Sequence, residues 1–337
     1  MDTETEAVLE EATRLFEFDA DVAQARLLGN SANLIYEFER AGACFILRVS
    51  QQNDQSPAGY ESEVKWVNYL ADNGVGVCRA IPSLSDRYVE VIEIGRECYL
   101  VSAFEKAIGQ HPDVKSKEEW NAGLFSEWGR TMGKMHALAK TTAAAGWKLS
   151  RREWNQNRYF TDEYPLKDEL VDEWDSVIGQ MESLPKDYDS YGLIHYDFHQ
   201  ANFVVDGGRI TVFDFDDCLY HWYACDIAIS LYHALGSVPH TEVDERKEFA
   251  YGYLEPFLRG YLSEADLDVA WIERLPLFLD YRRLCSYRFL SKLWSGEGMA
   301  NWQMDWLQYL RNGIVNGIPY IDVDLRSIQD RLVTENS

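Results

Sequence analysis

The sequence has 337 residues, of which 46% are hydrophobic and 26% are charged, and its formal net charge is −24. This predicts one or two globular domains, and no apolar run is long enough to span a membrane. The acidic balance argues against binding to nucleic acid or to an anionic membrane, since both need basic patches. It either keeps the protein soluble or favours a cationic substrate. The cysteines form no close CxxC pair and the acidic N-terminus is unlike a signal peptide, so we expect a cytoplasmic protein with reduced thiols.

The first hundred residues predict a small antiparallel sheet with one main helix. Apolar and polar side chains alternate at residues 33–39, and an apolar run returns at 43–50 beyond Ala41-Gly42, which is typical of a β-hairpin. A helical pattern at 61–73 places its apolar residues on one face. In chain order, the predicted elements are a helix at 1–27, strands at 33–39 and 43–50, a helix at 61–73, and strands at 78–94 and 97–103.

From about residue 105 onward the pattern is mostly helical. Large apolar residues recur at helical spacing through 122–140, and helices resume at 222–235 and continue to about 317. Short apolar runs at 193–194, 203–205 and 210–213 interrupt them, with a hairpin turn at 206–209. The chain is therefore predicted to be an α+β protein, with a sheet region at 1–104 and a mostly helical region at 105–337.

The most informative stretch is residues 195–202, with the sequence HYDFHQAN. Asp197 lies five residues before Asn202, and Asp214 ends an apolar run twelve residues after Asn202. Phosphoryl transfer from ATP needs a carboxylate that orients and deprotonates the accepting hydroxyl, and oxygen ligands that hold Mg²⁺ against the phosphates. Asp197 is therefore the candidate base, and Asn202 and Asp214 are the candidate Mg²⁺ ligands, with Asp216 a candidate for a second ion.

Two other interpretations of this stretch stay open. Asp197, taken alone, has the pattern of a turn residue that caps backbone amides. His195, Asp197 and His199 alternate, so in an extended segment they would lie on one side and bind zinc or iron, as in a metal hydrolase. That reading leaves Asn202 unexplained. Otherwise we expect His195 and His199 to pack and hydrogen-bond within the loop.

The order of several motifs resembles the aminoglycoside phosphotransferase-like family, which includes relatives of choline kinase and homoserine kinase. Besides the two motifs above, residues 128–138, WGRTMGKMHAL, look like the family helix that ends in a Leu/Met-His pair. Asp226 is similar to the family Asp that supports the catalytic loop. The resemblance covers roughly residues 25–310. It implies a two-lobed, protein-kinase-like fold with ATP bound between the lobes.

The same resemblance implies a nucleotide site in the first lobe. Residues 29–33, GNSAN, would lie over the phosphates, with a plain hairpin turn as the alternative. Arg48 stands where the family usually has Lys, and Glu63 would be the helix carboxylate that steadies this cation. Residues 102–104 would be the hinge whose backbone meets adenine. The nucleotide-contacting residues implied in this way are Asn30, Ser31, Arg48, Glu63, Ser102 and Phe104.

The acceptor is predicted to be a hydroxyl of an amino alcohol, an aminoglycoside or a homoserine-like molecule. Aromatic rings and carboxylates after Asp214 can hold an ammonium group, whereas Arg282-Arg283 would favour a carboxylate-bearing acceptor. The alternative for Trp222, Tyr287 and Trp294 is a place in the core or at the rim of the helical region. Candidate residues are Asp217, Tyr220, His221, Trp222, Asp280, Tyr281, Arg282, Tyr287 and Trp294. A candidate flap beside them comprises Trp147, residues 151–154, RREW, and the acidic stretch at 162–175.

Two alternative functions stay open besides the metal hydrolase. One is a kinase-fold nucleotide-binding protein with little or no turnover, for which Arg48 in place of Lys is the discriminating feature. The other is a protein Ser/Thr kinase, although no extended activation segment follows Asp214.

Overall fold

The computed structural model describes residues 3–19, 25–30, 33–52, 56–295 and 298–334. The chain divides into two compact units. Unit 1 comprises Met1–Gly109, Lys148–Arg151 and Thr211–Asp216, and unit 2 comprises Gln110–Trp147, Arg152–Ile210 and Asp217–Ser337. The mixture of helices and antiparallel strands confirms the predicted α+β class. The functional boundary at residue 104 stays a prediction.

Unit 1 contains two helices and an antiparallel sheet. Its elements are α1 (Thr3–Phe16), β1 (Arg26–Asn30), β2 (Leu34–Arg40), β3 (Ala43–Gln51), α2 (Pro57–Asp72), β4 (Ala80–Ile81), β5 (Glu90–Ile94) and β6 (Glu97–Glu105). The strand order of the sheet is β1-β2-β3-β6-β4, and β5 also pairs with β6. The register of β3 and β6 places Arg48 opposite Ser102. Helix α2 begins after Ser56, whose hydroxyl accepts a hydrogen bond from the backbone N–H of Gly59.

Two hydrophobic clusters hold the helices of unit 1 against the sheet. Val8 and Phe16 of α1 pack with Leu47 of β3 and Val101 of β6. Val64 of α2 belongs to a second cluster that also contains Leu100 of β6. Since Leu100 and Val101 are adjacent in a strand, their side chains point to opposite faces, so α1 and α2 cover opposite faces of the sheet.

Unit 2 is mostly helical, with short strands on either side of residues 195–202. Strands β7 and β10 pair antiparallel, and β8 pairs with β9 around the predicted turn at Gly207 and Gly208, which have φ of 53° and 79°. The elements after β6 are α3 (Ala122–Ala144), α4 (Val171–Glu182), β7 (Tyr191–Ile194), β8 (Phe203–Asp206), β9 (Arg209–Val212), β10 (Leu219–Trp222), α5 (Tyr223–Ala234), α6 (Val243–Leu262), α7 (Val269–Glu273), α8 (Leu275–Leu293), α9 (Asn301–Val315) and α10 (Leu325–Thr334).

Helices α3 and α6 approach each other closely because glycines stand at their contact. A Cβ on Gly129 would lie 1.8 Å from the carbonyl oxygen of Phe257, and one on Gly260 would lie 1.9 Å from that of Ser126. This packing fixes Trp128 of α3, whose ring centroid lies 5.7 Å from that of Phe198. The close contact of α3 with α6 therefore helps to position residues 195–202, the segment that contains Phe198.

Some predicted boundaries were wrong. The first helix ends at Phe16 rather than at residue 27, and Arg26–Asn30 forms a strand, so the predicted loop at 29–33 begins inside β1. The strand predicted at 78–94 is two short strands, β4 and β5, separated by a loop. Strand β10 was not predicted at all. None of the helices in the described ranges is long and apolar enough to cross a membrane.

Candidate active site

Residues 195–202 form a loop after β7, and the buried carboxylate of Asp226 supports its first turn. Asp226 lies at the start of α5 and accepts hydrogen bonds from the backbone N–H groups of Tyr196 at 2.9 Å and His195 at 3.1 Å. Nε2 of His136 lies 3.1 Å from the same carboxylate. Tyr196 has a φ of 69°, a left-handed conformation that only a well-determined environment sustains in a non-glycine residue. Asp226 supplies part of that environment.

Asp197 has three side-chain partners in unit 2. Nη2 of Arg282 donates to its Oδ1 at 2.8 Å, the amide nitrogen of Asn202 donates to Oδ2 at 3.1 Å, and Nε2 of His199 lies 3.3 Å from Oδ2. Nδ1 of His199 accepts from the backbone N–H of Ala201, so Nε2 carries the proton and donates. Burial raises the pKa of the Asp197 carboxyl, but the His199 hydrogen bond and the Arg282 charge outweigh it, and the pKa lies well below its ordinary value.

His233 of α5 completes this cluster. Its Nε2 lies 2.8 Å from Nη2 of Arg282 and accepts a hydrogen bond from it. Burial, with the neighbouring His199 and the charge of Arg282, holds the pKa of His233 well below its usual range, so this imidazole is neutral at pH 7. Arg282 is therefore held between an ionised carboxylate and a neutral imidazole.

The metal-hydrolase interpretation does not agree with this arrangement. Among the described residues, the group of His, Cys and carboxylate side chains close enough to share a metal ion is Asp197, His199 and His233, without His195. His195 is buried and stacks on the ring of Phe198. The cation that Asp197 and His233 already share is the Arg282 guanidinium. The prediction that His195, Asp197 and His199 form one ligand set is therefore wrong.

Asn202 directly precedes β8 and uses its amide nitrogen on the catalytic loop. That nitrogen donates to the backbone carbonyl of Asp197 at 2.9 Å as well as to its carboxylate. Within the described part of the chain, no hydrogen bond is made to the amide oxygen of Asn202. An amide oxygen is a hard donor of the kind that Mg²⁺ prefers.

Asp214 follows β9 in unit 1 and occupies a strained turn. Its φ is 64°, again left-handed for a non-glycine residue. The preceding Val212 anchors this segment, because its backbone N–H donates to the carbonyl of Gly76 at 2.8 Å. Beyond the turn, the Asp216 carboxylate accepts from the amide nitrogen of Asn33 at 3.5 Å. The carboxylates of Asp214 and Asp216 therefore lie on a turn whose backbone and side chains are held by hydrogen bonds within unit 1.

Arg48 and Glu63 form a buried ion pair in unit 1. Nη1 and Nη2 of Arg48 donate to the two carboxylate oxygens of Glu63 at 2.7 Å and 3.2 Å. The guanidinium lies over the rings of Tyr60 and Phe104, at 5.1 Å and 5.3 Å from their centroids. Burial lowers the pKa of Arg48, but the Glu63 and Asp216 carboxylates outweigh it and raise the pKa. The pairing of Arg48 with Glu63 expected from the sequence is therefore present. Within the described residues, the Nε atom of Arg48 has no hydrogen-bond partner.

The other predicted nucleotide contacts lie on β1 and β6. Asn30 is the last residue of β1, and Ser31 lies outside the described residues. Ser102 is buried opposite Arg48, and Phe104 follows two residues later on the same strand. Their contacts with a nucleotide stay predictions.

The sequence and the fold are both similar to those of known proteins. The sequence profile of the APH group, described as a phosphotransferase enzyme family, matches residues 24–262. The chain belongs to this family. The phosphotransferase is 33% identical to the amicoumacin kinase of Bacillus subtilis (strain 168) over 329 residues, which covers 96% of each protein.

Solved structures with the same fold extend the comparison. Amicoumacin kinase hAmiN in complex with AMP-PNP, Ca²⁺ and Ami has a TM-score of 0.86 at 28% identity, covering 97% of this chain and 100% of that one. The microcompartment-associated aminopropanol kinase has a TM-score of 0.73 at 24% identity, covering 97% and 99%, and supports the fold alone. The phosphotransferase therefore has a kinase-like fold and is a kinase that acts on an alcohol group with ATP and a divalent cation. The alternative with little turnover is not supported.

Several residues predicted to bind the acceptor are core residues of the phosphotransferase. His221, Trp222 and Tyr281 have 0% exposure and Tyr287 has 3%. Their prediction as acceptor contacts was wrong, and the core alternative was right. Arg283 does not present its charge to an acceptor, since it donates to the Ile318 carbonyl at 2.7 Å and also pairs with an aspartate on its own helix.

Arg282 and Arg151 have contacts that the sequence did not indicate. Arg282 was predicted to bind an acceptor carboxylate but donates a hydrogen bond to Asp197, the candidate base, instead. Arg151 was assigned to a flap, yet its guanidinium donates to the backbone carbonyls of Gly59 and Asp216 in unit 1. Each arginine is more than 60 residues from the acidic residue it contacts, so no local pattern reveals the pairing.

Proposed function

We propose that the enzyme transfers the γ-phosphate of ATP to a hydroxyl of a small, amine-bearing acceptor, with Asp197 as the base. The observation that carries the proposal is the geometry of the Asp197 carboxylate, which Arg282 and Asn202 hold in one orientation. Its pKa lies well below the ordinary value, which favours the ionised form. A carboxylate of low pKa is a weak base. That strength suffices because phosphoryl transfer through a loose transition state depends mainly on positioning and electrostatics.

The proposed step is a direct in-line displacement. The acceptor hydroxyl donates a hydrogen bond to Asp197, and its oxygen forms a bond to the γ-phosphorus. The bond from that phosphorus to the oxygen bridging the β- and γ-phosphates breaks, and ADP leaves with its electron pair. The hydroxyl proton passes to the Asp197 carboxylate, so no covalent enzyme intermediate forms.

Asn202 and Asp214 are proposed to hold the divalent cation. Both offer hard oxygen donors, and the amide nitrogen of Asn202 is already used on Asp197, which leaves its oxygen for a metal. When bound, the cation neutralises charge on the ATP phosphates. One side chain, Asn202, would then serve both the base and the metal.

ATP is proposed to bind the sheet region at 1–104, and the acceptor the region at 105–337. Arg48 would add positive charge at the phosphates through its Nε–H, since both of its amino groups pair with Glu63. The remaining proposed nucleotide contacts are Asn30, Ser31, Ser102 and Phe104. We expect the reaction to take place in the cytoplasm, in keeping with the free state of all six cysteines.

The acceptor is proposed to be an amino alcohol, an aminoglycoside, homoserine or a compound related to amicoumacin. The net charge of −24 favours a cationic molecule, and the relative at 33% identity is an amicoumacin kinase. The test is ADP release with ATP and each acceptor in turn, with and without Mg²⁺, using Asp214→Ala as the control variant. We expect one acceptor class to stimulate Mg²⁺-dependent ADP release in the native enzyme only. An ADP rate that no acceptor changes would contradict the proposal.

A further inference from the structure

Arg151 joins three parts of unit 1 that are distant in sequence. Its guanidinium donates to the carbonyl of Gly59 at 3.2 Å and to the carbonyl of Asp216, and Nη1 lies 3.9 Å from Oε2 of Glu63. The neighbouring Ser150 N–H donates to the hydroxyl of Ser62 at 2.9 Å. The Arg151 side chain is only 6% exposed, so this is a built contact and not a surface ion pair.

The contact with Asp216 lies two residues from the strained Asp214. A left-handed aspartate persists where the surrounding structure holds it, and a charged donor on the Asp216 carbonyl fixes the backbone just beyond the turn. Unit 2 contains a parallel case, because Asp226 holds the left-handed Tyr196 by accepting its N–H. In both places a buried charged side chain secures the backbone of a turn that carries a chemical group.

Arg151 also reaches the ion pair of the proposed phosphate site. Glu63 bonds to Arg48 through both oxygens and has Arg151 as a second positive neighbour. A second route leads from Asp216 to β3: the Ser50 hydroxyl donates to Asn33 at 2.6 Å, and Asn33 donates to the Asp216 carboxylate. The segment that follows Asp214 is thereby linked to Glu63 through Arg151 and to β3, the strand that carries Arg48, through Asn33.

We propose that Arg151 is a positioning residue that couples the Arg48–Glu63 pair to the metal-binding turn at Asp214. The inference rests on the proposed function, since it takes Asp214 to be a metal ligand. Arg151 touches neither metal nor nucleotide in this account. It keeps the Asp214 carboxylate where a metal bound with ATP needs it, and its loss weakens the metal contribution to nucleotide binding.

The test measures the dissociation constant of AMP-PNP by calorimetry with Mg²⁺ and with chelator. The ratio of the two constants gives the gain from the metal. For Arg151→Met we expect this gain to fall by about tenfold, the usual scale for a residue that orients a metal ligand, with little change in the metal-free constant. Arg96→Met is the matched control, because Arg96 is exposed in the turn between β5 and β6, and it should keep the native gain.

Arg151→Lys serves as a second variant should the methionine variant unfold. Lysine keeps the charge but lacks the planar fork that reaches two carbonyls, so an intermediate gain is expected. A native gain in a folded Arg151 variant would overturn the proposal. An equal loss of affinity with and without Mg²⁺ would also overturn it, since that is the result for a purely structural residue. If the native protein shows no gain from Mg²⁺, the metal site of the proposed function fails and the role of Arg151 fails with it.

Discussion

Nη2 of Arg282 lies 2.8 Å from Oδ1 of Asp197 and, on its other side, 2.8 Å from Nε2 of His233. A fixed positive charge therefore adjoins the proposed base. It helps to keep Asp197 ionised and limits the rotation of its carboxylate. In the proposed mechanism the carboxylate reacts in its ionised form, so the pH dependence of the reaction should report on this contact.

Replacing Arg282 with Met should move the acid limb of the pH profile. The Arg282 charge lowers the pKa of Asp197, so its removal raises that pKa, and activity is lost at a higher pH as the solution is acidified. Arg282→Lys retains the charge and should shift the limb less. The measurement is kcat/KM against pH for the three proteins. Identical acid limbs would mean that Arg282 does not act on the base.

Removing the Asp226 carboxylate should have two effects: it should destabilise unit 2 and slow the reaction. Asp226→Ala leaves the N–H groups of His195 and Tyr196 and the imidazole of His136 without their acceptor, which should cost about 3 kcal/mol. Asp226→Asn keeps an acceptor oxygen and should lose less. Urea unfolding measures the free energy of unfolding of each protein, and kcat reports how far the loop at 195–202 still supports the reaction. An alanine variant as stable as the native protein would refute the supporting role.

The Arg48–Glu63 pair should show strong coupling in a double-mutant cycle. Arg48→Met leaves a buried carboxylate without its cation, and Glu63→Leu leaves a buried guanidinium, each of which should cost roughly 3 kcal/mol or more. The double variant should lose clearly less than the sum, because neither charge remains. Urea unfolding of the four proteins measures this. If the losses in free energy of unfolding are additive, the interaction between Arg48 and Glu63 contributes little to stability.

The contact between α3 and α6 predicts opposite effects for two glycines of the same helix. Gly260→Ala drives a Cβ to 1.9 Å from the Ser126 carbonyl, so the helices must separate, at a cost of about 3 kcal/mol. Gly252 is exposed with no atom within 4 Å of such a Cβ, and Gly252→Ala should stabilise the helix by about 0.5 kcal/mol or slightly more. Thermal unfolding compares the two. Equal shifts would contradict the close packing.

Local patterns were sufficient for much of the architecture. The alternation at 33–39 predicted the β2–β3 hairpin, and the helical spacing at 122–140 predicted α3, because each pattern reports burial on a nearby surface. The ordered motifs around Asp197 and Asp214 pointed to the kinase-like fold. These elements carry their signal within a few residues.

The missed features depend on partners that lie far along the chain. Arg26–Asn30 has no clear alternation and becomes a strand by pairing with β2, while the four residues of β10 are ordered by pairing with β7. His233 and Arg282 meet Asp197 only after α5 and α8 have packed. Arg151 comes to the Asp216 carbonyl in the same way. Sequence reasoning therefore proposed which groups react, but it did not indicate the contacts of Arg282, His233 and Arg151 that hold them.

The most direct test of the central claim compares native enzyme with Asp197→Asn in a single turnover. Asparagine keeps the size of the side chain but cannot take the acceptor proton. With ATP, Mg²⁺ and the best acceptor from the ADP-release screen, we expect the native enzyme to form the phosphorylated acceptor, detected by ³¹P NMR. The variant should form it more than about 100-fold more slowly while binding AMP-PNP normally. A variant that phosphorylates the acceptor at the native rate would contradict the role of Asp197 as the base.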